Sequence, residues 1–219
     1  MFRGRIMVPL TDPQGQVVGF TARLLHDDPN APKYFNTPQT LLYDKGRHAY
    51  GLFEAKQAIR SAGYVVMVEG NMDVVSSHQA GIKQVIATAG TALTEFHLKA
   101  LSRFTDDIRI AFDQDNAGLK ATERAIGLAS KAGIKLGVVD VPDGKDPDDL
   151  VRKSPELWQQ IVTEPVYALE WLRARYKKMF DINTAPGKKA YADAMFATLA
   201  LLTDPVEREH YLAKLASEM

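Results

Sequence analysis

The chain has 219 residues, 46% hydrophobic and 25% charged, with 27 basic and 27 acidic side chains and a formal net charge of zero, the composition of an ordinary globular protein. The lack of cysteine excludes disulfides and thiolate zinc sites, and the five histidines show no HxxxH spacing. No apolar stretch reaches the roughly 18–20 residues of a membrane span and MFRGRIMVPL lacks a signal peptide's apolar core, so the expected location is the cytoplasm.

Taken in order, FRGRIMVPLTDPQGQVVGFTARLL predicts a hairpin: a strand near 6–10, a turn at TDPQGQ and a second strand from Val17 to about Leu25. HDDPNAPKYFNTPQ follows as a loop carrying Lys33 and Tyr34; YDKGRHAYG holds Lys45 and Arg47, and FEAKQAIRSAG predicts a helix. This first stretch is basic, with 8 Lys+Arg against 5 Asp+Glu over residues 1–60. From Gly63 apolar runs alternate with helical segments: strand YVVMVEG, helix MDVVSSHQAGI, strand QVIATAG, helix 94–102, strand IRIAFD, helix 118–132, strand KLGVVDV. Such a βαβαβαβ series predicts a parallel sheet with helices on both faces and ligands at the carboxyl ends of the strands. Residues 61–150 are acidic, 13 Asp+Glu against 9 Lys+Arg. After DGKDPDDLV the pattern is helical throughout, and Asp204-Pro205-Val206-Glu207 starts a last helix. The predicted units are residues 1–62, 63–153 and a C-terminal helical subdomain, 154–219.

Acids gather where the strands end. Asp113 and Asp115 follow IRIAF, and at i and i+2 of extended chain they point to one side. Two carboxylates about 4 Å apart repel by roughly 4 kcal/mol at an effective dielectric near 20, a term that a hard divalent cation reverses in sign. Glu69 ends the first strand of the series, Asp73 stands in the next helix's first turn, and Asp146 and Asp148 follow the fourth strand. Singly, each has an ordinary explanation as a helix cap or solvated loop residue; their common placement favours a metal site. An EF-hand loop from Asp113 is excluded, since Ala117 and Arg124 fall where oxygen ligands are required.

EGNMDVV, FDQDNAG and PDGKDPDDLV, in that order and each after a strand, resemble the TOPRIM module, a metal-binding α/β domain. With FRGRIMVPLTDPQGQVVGFTARLL, PKYFNTPQT, YDKGRHAYGL and AGTALTEFHLKAL, the chain is similar to the RNA polymerase domain of bacterial DnaG-type DNA primases from Phe2 to about Val162, and more weakly beyond. The resemblance implies a TOPRIM-type sheet flanked by the N-terminal hairpin segment and the C-terminal helices. It makes Glu69, Asp113 and Asp115 the central catalytic and metal-site acids, supported by Asp73, Asp146 and Asp148, with Mg²⁺ or Mn²⁺, two or more ions. Lys33, Lys45 and Arg23 match positions that contact nucleotide or nucleic-acid phosphates. Asn71 stands where the family often has Tyr, and Gln114 where Gly is usual.

The implied activity is nucleotidyl transfer from NTPs, making RNA primers on single-stranded DNA for replication. A TOPRIM-type nuclease, an aspartyl phosphatase using Asp113, and a fragment binding metal and nucleotide without independent activity remain as alternatives. The expected form is a monomeric core without membrane contact, excised from a longer protein. Its zinc-binding domain, the first part of the polymerase domain and the domain that meets the replicative helicase are expected to lie outside this chain.

Overall fold

The computed structural model describes residues 2–26, 28–88, 90–142 and 146–219; part of the DGKDPDDLV stretch, 143–145, lies outside them. The N-terminal sheet runs β1 (Arg5–Thr11), β2 (Val17–Leu24), β3 (Tyr34–Asn36), antiparallel throughout. Its first turn closes because Asp12 accepts the N–H groups of Gln14 and Gln16 at 2.9 Å each, with Gly15 at φ 89°. The third strand corrects the expectation of an unbroken loop after the hairpin. Arg23 pairs with Tyr34 and Ala22 with Phe35, while Arg5 donates to the Pro32 carbonyl at 2.7 Å. Tyr and Phe favour an extended, half-buried edge, but three residues flanked by Pro and Asn leave no alternation to detect.

Helix α1 (Leu52–Ala62) leads into the second sheet. Its order is β5 (Val85–Ala87), β4 (Tyr64–Val68), β6 (Asp107–Ala111), β7 (Lys135–Val138), β8 (Val166–Tyr167). The first four strands are parallel, joined by α2 (Asn71–Gln79), α3 (Glu95–Leu101) and α4 (Asn116–Ala132). Strand β8 is antiparallel to β7 and falls in a stretch expected to be helical. Pro165 cannot continue a helix, and it packs over Gly137 of β7, where a Cβ would sit 2.8 Å from the proline's Cβ. The chain therefore returns along an otherwise open sheet edge.

Both faces are covered. Val65, Met67, Ile108 and Ile110 pack with α1, α3 and α4, backed by α7 (Ala168–Met179), α8 (Ala185–Leu199) and α9 (Pro205–Ser217). On the other face Val66 and Val68 pack against Val74 of α2, Leu150 of α5 (Pro147–Lys153) and Trp158 of α6 (Pro155–Thr163). Burying each such aliphatic side chain is worth about 1.5–3 kcal/mol, so packing on both sides fixes the strands whose carboxyl ends carry the acids.

Candidate active site

In the parallel register Val68 sits beside Ala111, so β4 and β6 deliver Glu69 and Asp113 from adjacent strand ends. The Asp113 N–H donates to Glu69 Oε1 at 3.1 Å. Asp115 does otherwise than the i, i+2 geometry suggests: its carboxylate accepts the N–H groups of Ala117 and Gly118, both at 2.8 Å, and caps α4. That cap starts the helix at Asn116, two residues before the expected position. The glycine of D-x-D-x-x-G has a steric reason. A Cβ at Gly118 would lie 1.8 Å from the Asp113 carbonyl oxygen, so only glycine lets the first turn of α4 close over that backbone.

The second group of acids is tied together across α2 and α5. Asp73, buried, accepts the N–H of Gly70 and the N–H of Asp148, both at 3.0 Å. Asp148 in turn accepts the Ser76 hydroxyl and pairs with Arg152 at 2.9 Å. Asp146 caps α5, accepting the Asp149 N–H at 2.6 Å. Behind them the Trp158 indole donates to Ser77 Oγ at 3.0 Å, and the Ser77 hydroxyl donates to the Asp73 carbonyl at 2.6 Å.

The electrostatics are those of acids without enough cations. Burial raises the Glu69 carboxyl above its ordinary range and the charges of Asp113 and Asp115 add to the rise, against the Asp113 N–H. Asp113 is raised by burial and then by Asp115 and Asp146. Asp73 is pushed up to about 6, by burial first and then, against its two N–H donors, by Asp146 and Asp148. Among the described residues no three carboxylates or imidazoles converge closely enough to hold a metal ion as they stand. Backbone N–H donors engage the carboxylates of Glu69, Asp73, Asp115 and Asp146, which offsets part of the repulsion that like charges meet in a partly dry site.

These acids form one wall of a cavity of about 400 Å³ shared by Glu69, Asp73, Asp113, Asp146 and Asp148. The N-terminal sheet forms the other, with Arg23 on β2 and Lys33 and Tyr34 at β3; the Arg23 guanidinium lies 5.8 Å from the Tyr34 ring centre. The β3 missed in the sequence is thus the element that brings Lys33 and Tyr34 to the acids. Lys45 lies elsewhere, half-buried in the turn before α1, where its carbonyl accepts the Thr91 hydroxyl at 3.4 Å. Sequence reasoning also missed a clamp behind the aspartates. Arg175 of α7 donates to the Gln114 carbonyl at 2.6 Å, while the Gln114 amide and the Trp171 indole both donate to Asp140, at 3.2 and 3.1 Å. A basic residue on an amphipathic helix carries no sign of its target; only the fold reveals this one.

Comparison with known proteins covers most of the chain. Residues 1–56 match the family model for the N-terminal domain of the DNA primase catalytic core, 66–151 the Toprim-like family, and 169–219 the DnaB-helicase binding domain of primase. The last match corrects the expectation that the helicase-binding domain lies outside the chain. It falls on α7–α9, whose amphipathic pattern in sequence reports packing and gives no hint of a partner. The DNA primase of Listeria innocua is 38% identical over 99% of this chain and 35% of its own length; the chain thus spans about a third of such curated relatives. Among solved structures, a DNA primase domain from Pseudomonas aeruginosa aligns with TM-score 0.85 and 34% identity over 99% of this chain and 68% of that one. A DnaG primase catalytic domain bound to single-stranded DNA aligns with TM-score 0.83 and 33% identity, over 99% and 70%.

Proposed function

The chain belongs to the bacterial DnaG-type DNA primases, as part of their Toprim-containing catalytic core, and from that premise we propose that the cavity between its two sheets is a nucleotidyl-transfer centre joining ribonucleotides on a single-stranded DNA template. The observation that carries this is the pairing of walls: acids on the strand ends, phosphate-binding cations and a tyrosine ring on the facing sheet.

Toprim domains are metal-dependent, and these residues fit hard divalent cations. Glu69 and Asp113 are oxygen donors raised by burial and mutual repulsion, and among the described residues neither has a Lys or Arg within salt-bridge distance. We assign Glu69, Asp113 and Asp115 to Mg²⁺ or Mn²⁺, two or more ions, with Asp73, Asp146 and Asp148 in support. When bound, such ions supply the Lewis acidity that lowers the pKa of an attacking 3′-hydroxyl and neutralises leaving pyrophosphate. The carboxylates position and do not attack. Arg23 and Lys33 hold triphosphate or template phosphates, a sequence-blind attraction that weakens with salt, and Tyr34 offers its ring to a base. Lys45, outside the cavity, would meet the strand further along. Residues 169–219 would carry a contact to a DnaB-type helicase.

The test is thermal unfolding of the chain with Mn²⁺ and an NTP. A ligand at 100 times its Kd stabilises by about 2.7 kcal/mol, several degrees for a protein of this size. Wild type should show that shift, and Asp113→Asn should lose it while unfolding no lower than wild type in chelator, because one repelling charge is gone. A shift of equal size in both proteins, or none in wild type, rules the proposal out.

A further inference from the structure

Asp113, Gln114 and Asp115 follow one another in the loop after β6, and each is tied to a different neighbour. Asp113 meets Glu69, beyond β4, through its N–H, and Asp115 turns back to cap α4. Between them Gln114 reaches the other way, toward β7 and α7. Its side-chain amide donates to Asp140 Oδ1 at 3.2 Å, and its carbonyl accepts from Arg175 at 2.6 Å. Strands β4 and β7 flank β6 on opposite sides, so the loop is held from both. The far anchor is firm. Asp140 stands two residues past Val138, the end of β7, and the N–H of buried Val139 between them donates to the Ile110 carbonyl at 2.8 Å. The indole of Trp171, 8% exposed, donates to the same Oδ1 at 3.1 Å. The sheet thus holds the Asp140 backbone, and a core side chain aims its carboxylate.

We propose that Gln114 is a positioning residue of the acid centre: through Asp140 it holds the middle of the loop in the conformation that presents Asp113 beside Glu69. The inference rests on the metal-dependent function proposed above. Gln114 acts through its neighbours and meets neither ion nor substrate. A small hard cation demands near-ideal octahedral geometry, and the acids that receive it repel one another. A loop ordered beforehand spares the ion the cost of ordering it. Glycine at this position would bring no amide to Asp140 and would add backbone freedom, so the tether belongs to this side chain. Asp140 ends its strand as Glu69 ends β4, yet it takes no place in the acid cavity. It lines a separate cavity of about 300 Å³ behind the loop, with Gln114, Trp171 and Arg175. Its effect on the ions therefore runs through the hydrogen bond to Gln114.

The experiment titrates Mn²⁺ into the 219-residue chain by calorimetry, for wild type, Gln114→Ala, Asp140→Ala, Asp140→Asn and the double variant Gln114→Ala/Asp140→Ala, with the urea midpoint of each taken in chelator. Gln114→Ala should bind Mn²⁺ about fivefold more weakly, the worth of one hydrogen bond, at an unchanged midpoint because its bond lies at the surface. The double variant should bind no more weakly than Asp140→Ala, since the amide then has no acceptor to lose. Asp140→Asn loses the same charge as Asp140→Ala but keeps an Oδ1 acceptor, so it should bind nearly as wild type does while Asp140→Ala does not. Equal affinity in Gln114→Ala and wild type overturns the tether while the metal centre stands. An Asp140→Asn protein as weak as Asp140→Ala overturns it too, because only the charge would then be felt, and so do additive losses in the double variant. Absence of Mn²⁺ binding in wild type sinks the centre and the tether together.

Discussion

Gly118→Ala adds one carbon and tests whether the closeness of α4 to Asp113 sets the geometry of the acids. The new Cβ would start 1.8 Å from the Asp113 carbonyl oxygen, and ordinary contact begins at 3.4 Å, so 3.4 less 1.8 leaves 1.6 Å to be found by moving backbone. Alanine in a helix recovers about 1 kcal/mol of propensity over glycine, whereas overpacking a tight site costs roughly 1–3 kcal/mol. The expected net effect on stability is a loss of about 1 kcal/mol, read from the urea midpoint. The effect on function should be far larger. A misplacement near 1 Å in a positioned reacting group costs about 100-fold, and Mn²⁺ affinity by calorimetry should fall with primer synthesis. Gly46→Ala, whose Cβ meets only the Asp44 side chain at an ordinary 3.4 Å, is the control. A Gly118→Ala protein that is more stable than wild type and binds Mn²⁺ equally well would show that the contact does not govern the site.

The clamp behind the loop gives a second prediction: Arg175→Ala removes the donor to the Gln114 carbonyl and leaves a partly buried acceptor unmet, costing about 1–3 kcal/mol. Mn²⁺ affinity should drop with it, and an effect on stability alone would reduce Arg175 to packing. His48 supplies a pH dependence of known sign. Burial first, then His97, against Asp12, brings its pKa down to about 4 from 6.5, and its Nε2 is buried without a partner. A base whose folded pKa is depressed contributes stability that is full above 6.5 and fades as pH falls toward 4. Because Asp73, pushed up to about 6, acts in the opposite sense, the readout is the difference between wild type and His48→Phe. That difference should shift against wild type by about 2 kcal/mol between pH 7 and pH 5, and a constant difference would remove His48 as its cause.

What the sequence revealed followed from repetition. Strand β4 is apolar throughout, β6 and β7 carry aliphatic residues around Asp107, Arg109 and Lys135, and their helices span full turns, so the alternation and the acids at its punctuation marks were legible. Short elements were not. Strand β3 has three residues and β8 two, lengths at which the period-2 signal vanishes. The site suffered the same limit. That Glu69 and Asp113 would be neighbours follows from strand order, but that Asp115 would turn into a cap depends on which N–H groups lie nearest, a tertiary detail. Lys45 belongs to a motif next to α1, and nothing in the letters tells that the turn carries it away from the cavity that takes Lys33.

The chain satisfies charges where structure alone is at stake, which makes the unpaired acids informative. Arg109 grips Asp107 at 2.8 Å and donates to the Val162 carbonyl at 2.6 Å. Although burial works upward, hydrogen bonds from Lys214 and Arg173 hold Glu170 down to about 2. Glu218 takes Lys177 at 2.8 Å as well as Arg173. The same sequence could have set a lysine beside Glu69 or Asp113. Instead it places Arg23 and Lys33 across a cavity, outside pairing distance, so both walls keep their charge, as the proposed nucleotidyl-transfer centre requires. A neutral total of 27 against 27 is therefore no argument against a nucleic-acid partner. It conceals a basic segment, residues 1–60, and an acidic one, residues 61–150, that face each other across the cavity.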